Sequence, residues 1–213
     1  MDLLLQLPIL LFSVIIHEFA HGYTAHKMGD DTAYLSGRLT FNPLAHIDPI
    51  GTVVFPLICY FSGMPLFGWA KPVPVNPYRL NNPSKDMIKV AASGALSNVG
   101  LAIVCAILFK IALLSSFILG TSITSLLLKA LRFGVIINFA LAFFNLIPIA
   151  PLDGSKVMSG LLPLEYAQKY ERHTPYGMWI LVGLFITGFI RYLIIPPVIF
   201  ALNVLAFFGL RVF

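Results

Sequence analysis

Two histidines and a glutamate interrupt a stretch that is otherwise apolar: His17-Glu18-Phe19-Ala20-His21, inside Leu3 to Ala25. Such groups are costly to bury in lipid, so they need partners and usually mark function. On a helix, positions i and i+4 share one face, so His17 and His21 can grip one ion. Glu18 lies one step round the helix, beside that ion. This H-E-x-x-H pattern reads as a zinc-binding pair plus a general base. The competing reading is a helix end whose His and Glu face water. Leu10 to Ile16 and Phe19-Ala20 leave no polar face for it. Histidine and carboxylate also serve metal transporters, so zinc chemistry alone does not select an activity.

Composition sets the environment. Of 213 residues, 58% are hydrophobic and 11% charged, against about 25% charged in an ordinary soluble domain. Mean hydropathy is +0.88. These values predict an all-α polytopic membrane protein forming one domain over 1–213, with a core at 3–154 and C-terminal helical segments at 176–213. The net charge of +5 is spread through short loops, where it reads as a topology signal. No basic tract for nucleic acid is present. Cys59 and Cys105 lie in apolar segments and form no motif. The N-terminus lacks the basic region of a cleavable signal.

Along the chain, Leu3 to Ala25 is long enough to span, at about 20 residues per crossing. The flanking His26 and Lys27 place its end in the cytosol and Met1 outside. Leu35 to Phe41 alternates apolar and polar residues before Asn42-Pro43, which predicts a short β-hairpin near the cytosolic face. Its edge could pair with an extended peptide. His46 and Asp48 read as structural. Ile50 to Phe67 is apolar but broken by Pro56, Gly63 and Pro65. Gly68 to Pro77 is too proline-rich for a helix and predicts an extended segment. A long span follows within Met87 to Leu119, entered by the small-residue run Ser93 to Gly100 that carries Asn98. The next span, Phe133 to Ile149, leads into Asn145 to Gly154. Two prolines there break the helix just before Asp153. A carboxylate is a natural third ligand for a histidine pair, leaving a fourth position for water. Asp153 could also cap the following helix. Tyr176 to Ile195 and Pro197 to Phe213, split at Pro196-Pro197, are two further spans or a hairpin. About five spans are expected in all.

Helix rise tests whether these ligands can meet. At 1.5 Å per residue, His17 and His21 lie about 21 and 27 Å from Leu3, and Asp153 about 30 Å from Phe133. The depths match only if the two segments run in the same direction. Ile50 to Phe67 must then dip into the membrane and return. One zinc ion would sit toward the cytosolic side.

These residues together resemble the site-2 proteases, membrane-embedded zinc metalloproteases that cut substrate transmembrane segments. The resemblance rests on His17 to His21, on Ser93 to Gly100 with Asn98, and on Asn145 to Gly154 as N-x-x-P-x-x-x-L-D-G. Ser36 to Pro43 and Gly68 to Asn76 also look like the short bacterial branch. The resemblance implies a bacterial inner-membrane enzyme with Zn2+ on His17, His21 and Asp153 and with Glu18 as the catalytic base. It implies Asn98 near the substrate or the developing oxyanion, where a helix–helix hydrogen bond competes as its role. The implied partners are a transmembrane protein or peptide substrate and membrane lipid. The rival functions are a metal-ion transporter and an inactive scaffold. A transporter should show polar groups at successive depths, whereas the polar groups here gather in one cluster. The intact Glu18 argues against a scaffold.

Overall fold

The computed structural model describes residues 3–63 and 70–212. Residues 64–69, which hold the end of the expected dip and the start of the extended segment, lie outside that range. The helices are α1 (Leu3–Lys27), α2 (Thr32–Leu35), α3 (Phe55–Phe61), α4 (Pro83–Leu114) and α5 (Ser116–Leu119), followed by α6 (Thr121–Asn145), α7 (Asp153–Leu161), α8 (Leu164–Glu171), α9 (Gly177–Ile186) and α10 (Ile190–Phe207). Among the described residues, α1, α4, α6 and α10 are long and apolar enough to cross a membrane.

Local chemistry explains the boundaries that matter. At the start of α4, Asn82 accepts from the Lys85 amide, Pro83 fills the first turn, and Asp86 accepts from the Asn82 amide. This arrangement supplies partners for amides that the first turn leaves bare. Gly120, with φ of +76°, lets the chain reverse into α6. α6 stops at Asn145, shortly before Pro148, which cannot continue the ladder.

Three spanning helices build the centre. α1 and α4 run antiparallel: Ala25 packs with Leu80 and Val90, and the Ser13 carbonyl bonds Asn98. α6 runs parallel to α1, since Asn138 bonds Ser13 and Gly134 lies near Ile9. The contacts are made by small residues. Ala95, Ala102, Ala106, Gly134 and Ala142 are buried, and a Cβ at Gly134 would stand 2.9 Å from Cys105 Sγ. Without a hydrophobic drive between helices in lipid, such close approach is what holds them. α10 covers α4 and α6 through Val198 and Leu205 against Ala106, Phe109 and Phe139.

Because α1 ends where α4 begins, the chain between them leaves and returns on one side. Pro49–Val54 and α3 form a continuous apolar helical stretch, Pro49–Phe61. At 1.5 Å per residue it rises about 20 Å, short of the roughly 30 Å hydrocarbon core.

Two expectations need correction. No strand occurs among the described residues, so the β-hairpin over Leu35 to Phe41 is absent. The alternation there marks faces and not pairing. Phe41 stacks on Phe19 of α1 at 4.0 Å, and Leu39 packs beside Gly22. The backbone finds non-ladder partners: Arg38 N–H donates to Ala33 O as a helix end, and Thr40 O accepts from the His46 ring. The C-terminal break falls at Gly188, φ +69°, and not at Pro196-Pro197, which lie inside α10. The left-handed backbone at the break suits glycine, whereas proline's fixed φ is compatible with a helix, at the cost of a hydrogen bond and a clash with the carbonyl four residues back, and α10 accommodates both prolines. Among the described residues, four helices are long and apolar enough to span. α9, of 10 residues, is too short at about 20 residues per crossing.

α9 has another place in the fold. Leu181 packs with Ile147 and Leu152. A Cβ on Gly177 would collide with the Ala150 carbonyl, so α9 sits directly on the loop that delivers Asp153.

Candidate metal centre

His17 and His21 project from one face of α1 with ring centroids 4.6 Å apart, and both are buried. Asp153 arrives from the far end of the chain, at the first position of α7. Leu152 is the cap residue, so the Asp153 side chain is left for other work. A Cβ on Gly154 would overlap the Leu146 carbonyl, so α7 can begin here only with glycine at its second position. The Asp153 Oδ2 lies 3.1 Å from His17 Nε2 and 3.0 Å from His21 Nε2, and the two Nε2 atoms are 3.0 Å apart. Among the described residues this is the one group of three potential metal ligands brought together.

The other ring nitrogen of each histidine decides what faces inward. His21 Nδ1 is 2.7 Å from the Val90 carbonyl. A carbonyl only accepts, so Nδ1 carries the proton and Nε2 presents a lone pair. His17 Nδ1 meets Asn98 Oδ1 at 2.7 Å in the same sense. Two lone pairs and a carboxylate oxygen therefore face one another. Such acceptors repel unless a cation lies among them. Their separations approach the roughly 3.3 Å edge of a tetrahedral site with bonds near 2.0 Å. The donor set, two imidazoles and one carboxylate, suits zinc. The residues present fit the ion.

Space for it depends on α4. A Cβ at Gly94 would stand 2.6 Å from His17 Nε2 and closer still to His21 Nε2. Gly94 was legible only as one small residue in a run, and its spacing of four from Asn98 is the signal that pairs them.

Glu18 is partly exposed and outside the triad. Its Oε2 accepts from the Val73 amide at 2.7 Å. Val73 belongs to an extended strap, 70–76, that crosses α1. Lys71 N–H donates to His46 O, Asn76 N–H to Asp30, and the Arg38 guanidinium to the Lys71 and Pro72 carbonyls. Pro72 and Pro74 have no N–H. The strap is thus tied inward, and few of its donors remain for pairing with another chain.

Asn98 is fully buried. Its amide hydrogens go to the Ser13 carbonyl at 3.1 Å and to Asn138 Oδ1 at 2.8 Å. Ser13 and Asn138, both fully buried, were not singled out in the sequence, although each is a polar residue inside an apolar span.

The chain is similar to known proteins. The sequence profile of peptidase family M50 matches residues 111–188, which include Asp153 and its motif. A Bacillus subtilis protein with the provisional name zinc metalloprotease YwhC is 34% identical over 193 residues, covering 88% of this chain and 82% of its own. The provisionally named zinc metalloprotease Rip2 of Mycolicibacterium smegmatis is 27% identical over 178 residues, covering 83% of this chain and 64% of its own. MJ0611 of Methanocaldococcus jannaschii, provisionally named in the same way, is 34% identical over 105 residues, covering 49% and 43%. No solved structure gives a significant match. With four apolar helices of spanning length among its described residues, the chain is an integral membrane protein belonging to peptidase family M50, the site-2 protease family of zinc metalloproteases.

Proposed function

We propose that the chain is an intramembrane zinc endopeptidase that hydrolyses a peptide bond within or near a transmembrane segment of its substrate. His17, His21 and Asp153 hold one zinc ion and Glu18 is the general base. The carrying observation is the meeting of three acceptor atoms at about 3 Å with both imidazoles turned lone-pair inward, beside a carboxylate that is not one of them. When bound, zinc supplies a water that ionises near neutral pH and polarisation for the scissile carbonyl. Glu18 takes the proton of the attacking water and returns one to the leaving amine. α1, α4 and the strap keep bulk solvent from the triad. A substrate helix must unwind locally, because its peptide groups are otherwise committed to their own hydrogen bonds.

The test uses purified protein and a transmembrane peptide substrate. Chelation should stop cleavage, and added zinc should restore it. His21→Ala and Asp153→Ala should each lose zinc and activity together. Full zinc occupancy in Asp153→Ala would remove Asp153 from the ligand set.

The same reading carries a topology: a bacterial inner membrane, Met1 outside, the metal toward the cytosol. Lys27, Arg79, Lys85, Lys89 and Lys156 flank the cytosolic ends of α1, α4 and α6, which favours this orientation, while Lys129 and Arg132 of α6 lie toward the outer side against the positive-inside rule. Single cysteines at 42 and 82, in a background lacking Cys59 and Cys105, should react with an impermeant thiol reagent only after cells are opened. A cysteine at 121 should react from outside. External labelling at 82 would reverse α4 relative to α1 and overturn the proposed orientation.

A further inference from the structure

Three helices that do not share a ligand meet in one buried hydrogen-bond network behind His17, and its direction can be read atom by atom. Backbone carbonyls fix the ends, because they only accept. Asn98 places one amide hydrogen on the Ser13 carbonyl, so that end of its side chain is the NH2 group. Asn138 places Nδ2 on the Gly134 carbonyl at 2.8 Å, so its other end is the oxygen. That oxygen accepts the second amide hydrogen of Asn98. The Ser13 hydroxyl donates to the Ile9 carbonyl at 2.8 Å and therefore accepts from Asn138 Nδ2 at 2.9 Å. Every hydrogen of both amides is used, and one atom is left over. Asn98 Oδ1 faces His17 Nδ1.

We infer that Asn98, oriented by Ser13 and Asn138, is a positioning residue that holds His17 with Nδ1 protonated and Nε2 bare toward the metal. The inference rests on the zinc site proposed above. It differs from an oxyanion role for Asn98, since neither amide hydrogen is free to meet substrate. The two histidines are secured unequally. His21 is held by the Val90 backbone carbonyl, which no substitution removes. His17 is held by a side chain whose own orientation depends on α1 and α6. Ser13, Asn98 and Asn138 are all fully buried, so bulk solvent does not reach the network to replace a missing partner. Groups that orient a metal-bound histidine are typically worth 10- to 100-fold in metal affinity.

The experiment measures zinc affinity by chelator competition on the full-length, zinc-loaded protein, with the thermal midpoint of each chelated variant as a separate readout of folding. Asn98→Leu keeps the volume and removes the acceptor. Its zinc affinity should fall at least about 10-fold. Asn98→Asp keeps an acceptor toward His17, and its affinity should return to within a few-fold of the parent even if its chelated form melts earlier. A folded Asn98→Leu protein with parental affinity overturns the inference. So does an Asn98→Asp protein as weak as Asn98→Leu, because the acceptor would then be irrelevant. If Asn98→Leu does not fold, Asn138→Ala decides. It removes one anchor of the Asn98 amide without touching His17, and unchanged affinity there overturns the inference. His21→Ala separates the two levels: if it keeps parental zinc affinity, the proposed site itself fails, whatever Asn98 does.

Discussion

Glu18→Gln should retain zinc near stoichiometry and lose cleavage by at least two to four orders of magnitude. Gln has the same shape, and its amide oxygen can still accept from the Val73 N–H that Glu18 holds at 2.7 Å. The strap and the packing of α1 are therefore preserved. What disappears is the basicity needed to take a proton from water, and general base catalysis contributes roughly 10²- to 10⁴-fold. The pair of measurements is zinc content and cleavage of a transmembrane peptide. Zinc loss would make Glu18 a ligand. Retained cleavage with zinc bound would place the base elsewhere.

The contrast between the legible and illegible parts of this chain has a physical origin. His17, His21 and Asp153 could be paired from sequence because each is a costly group in an apolar surround, and helix rise puts them at one depth. The parallel course of α1 and α6 followed from the same arithmetic, and the structure has it: Ser13 meets Asn138, and Ile9 lies near Gly134. The stretch from Leu35 to Phe41 misled because a period of two reports only which side chains alternate in polarity, and here Leu35 and Phe41 both stay largely exposed. That period does not report whether a neighbouring backbone is free to pair. The nearest extended segment, 70–76, commits the N–H groups of Lys71, Val73 and Asn76 to His46, Glu18 and Asp30. Ser13 and Asn138 escaped notice for a different reason. A lone hydroxyl or amide in a span is a common helix contact, and only its three-dimensional partners connect it to a metal ligand.

Gly94→Ala should abolish zinc binding and activity together, the largest effect expected from adding a single methyl group. Its Cβ would stand 2.6 Å from His17 Nε2 and nearer to His21 Nε2, where ligand atoms and the ion must lie. Neither ring can step aside without losing its other bond, to Asn98 or to the Val90 carbonyl. α4 cannot retreat as a whole, because Ala95, Ala102 and Ala106 hold it close to its neighbours along its length. Gly100→Ala is the matched comparison. It lies on the same helix, exposed, with nothing within 4 Å of its added Cβ. Alanine favours a helix over glycine by about 1 kcal/mol, so Gly100→Ala should keep full zinc and activity and melt no earlier than the parent. Equal zinc content in the two variants would mean that α4 does not press on the histidines. The metal centre would then have to be opened toward α4 and its ligand geometry redrawn.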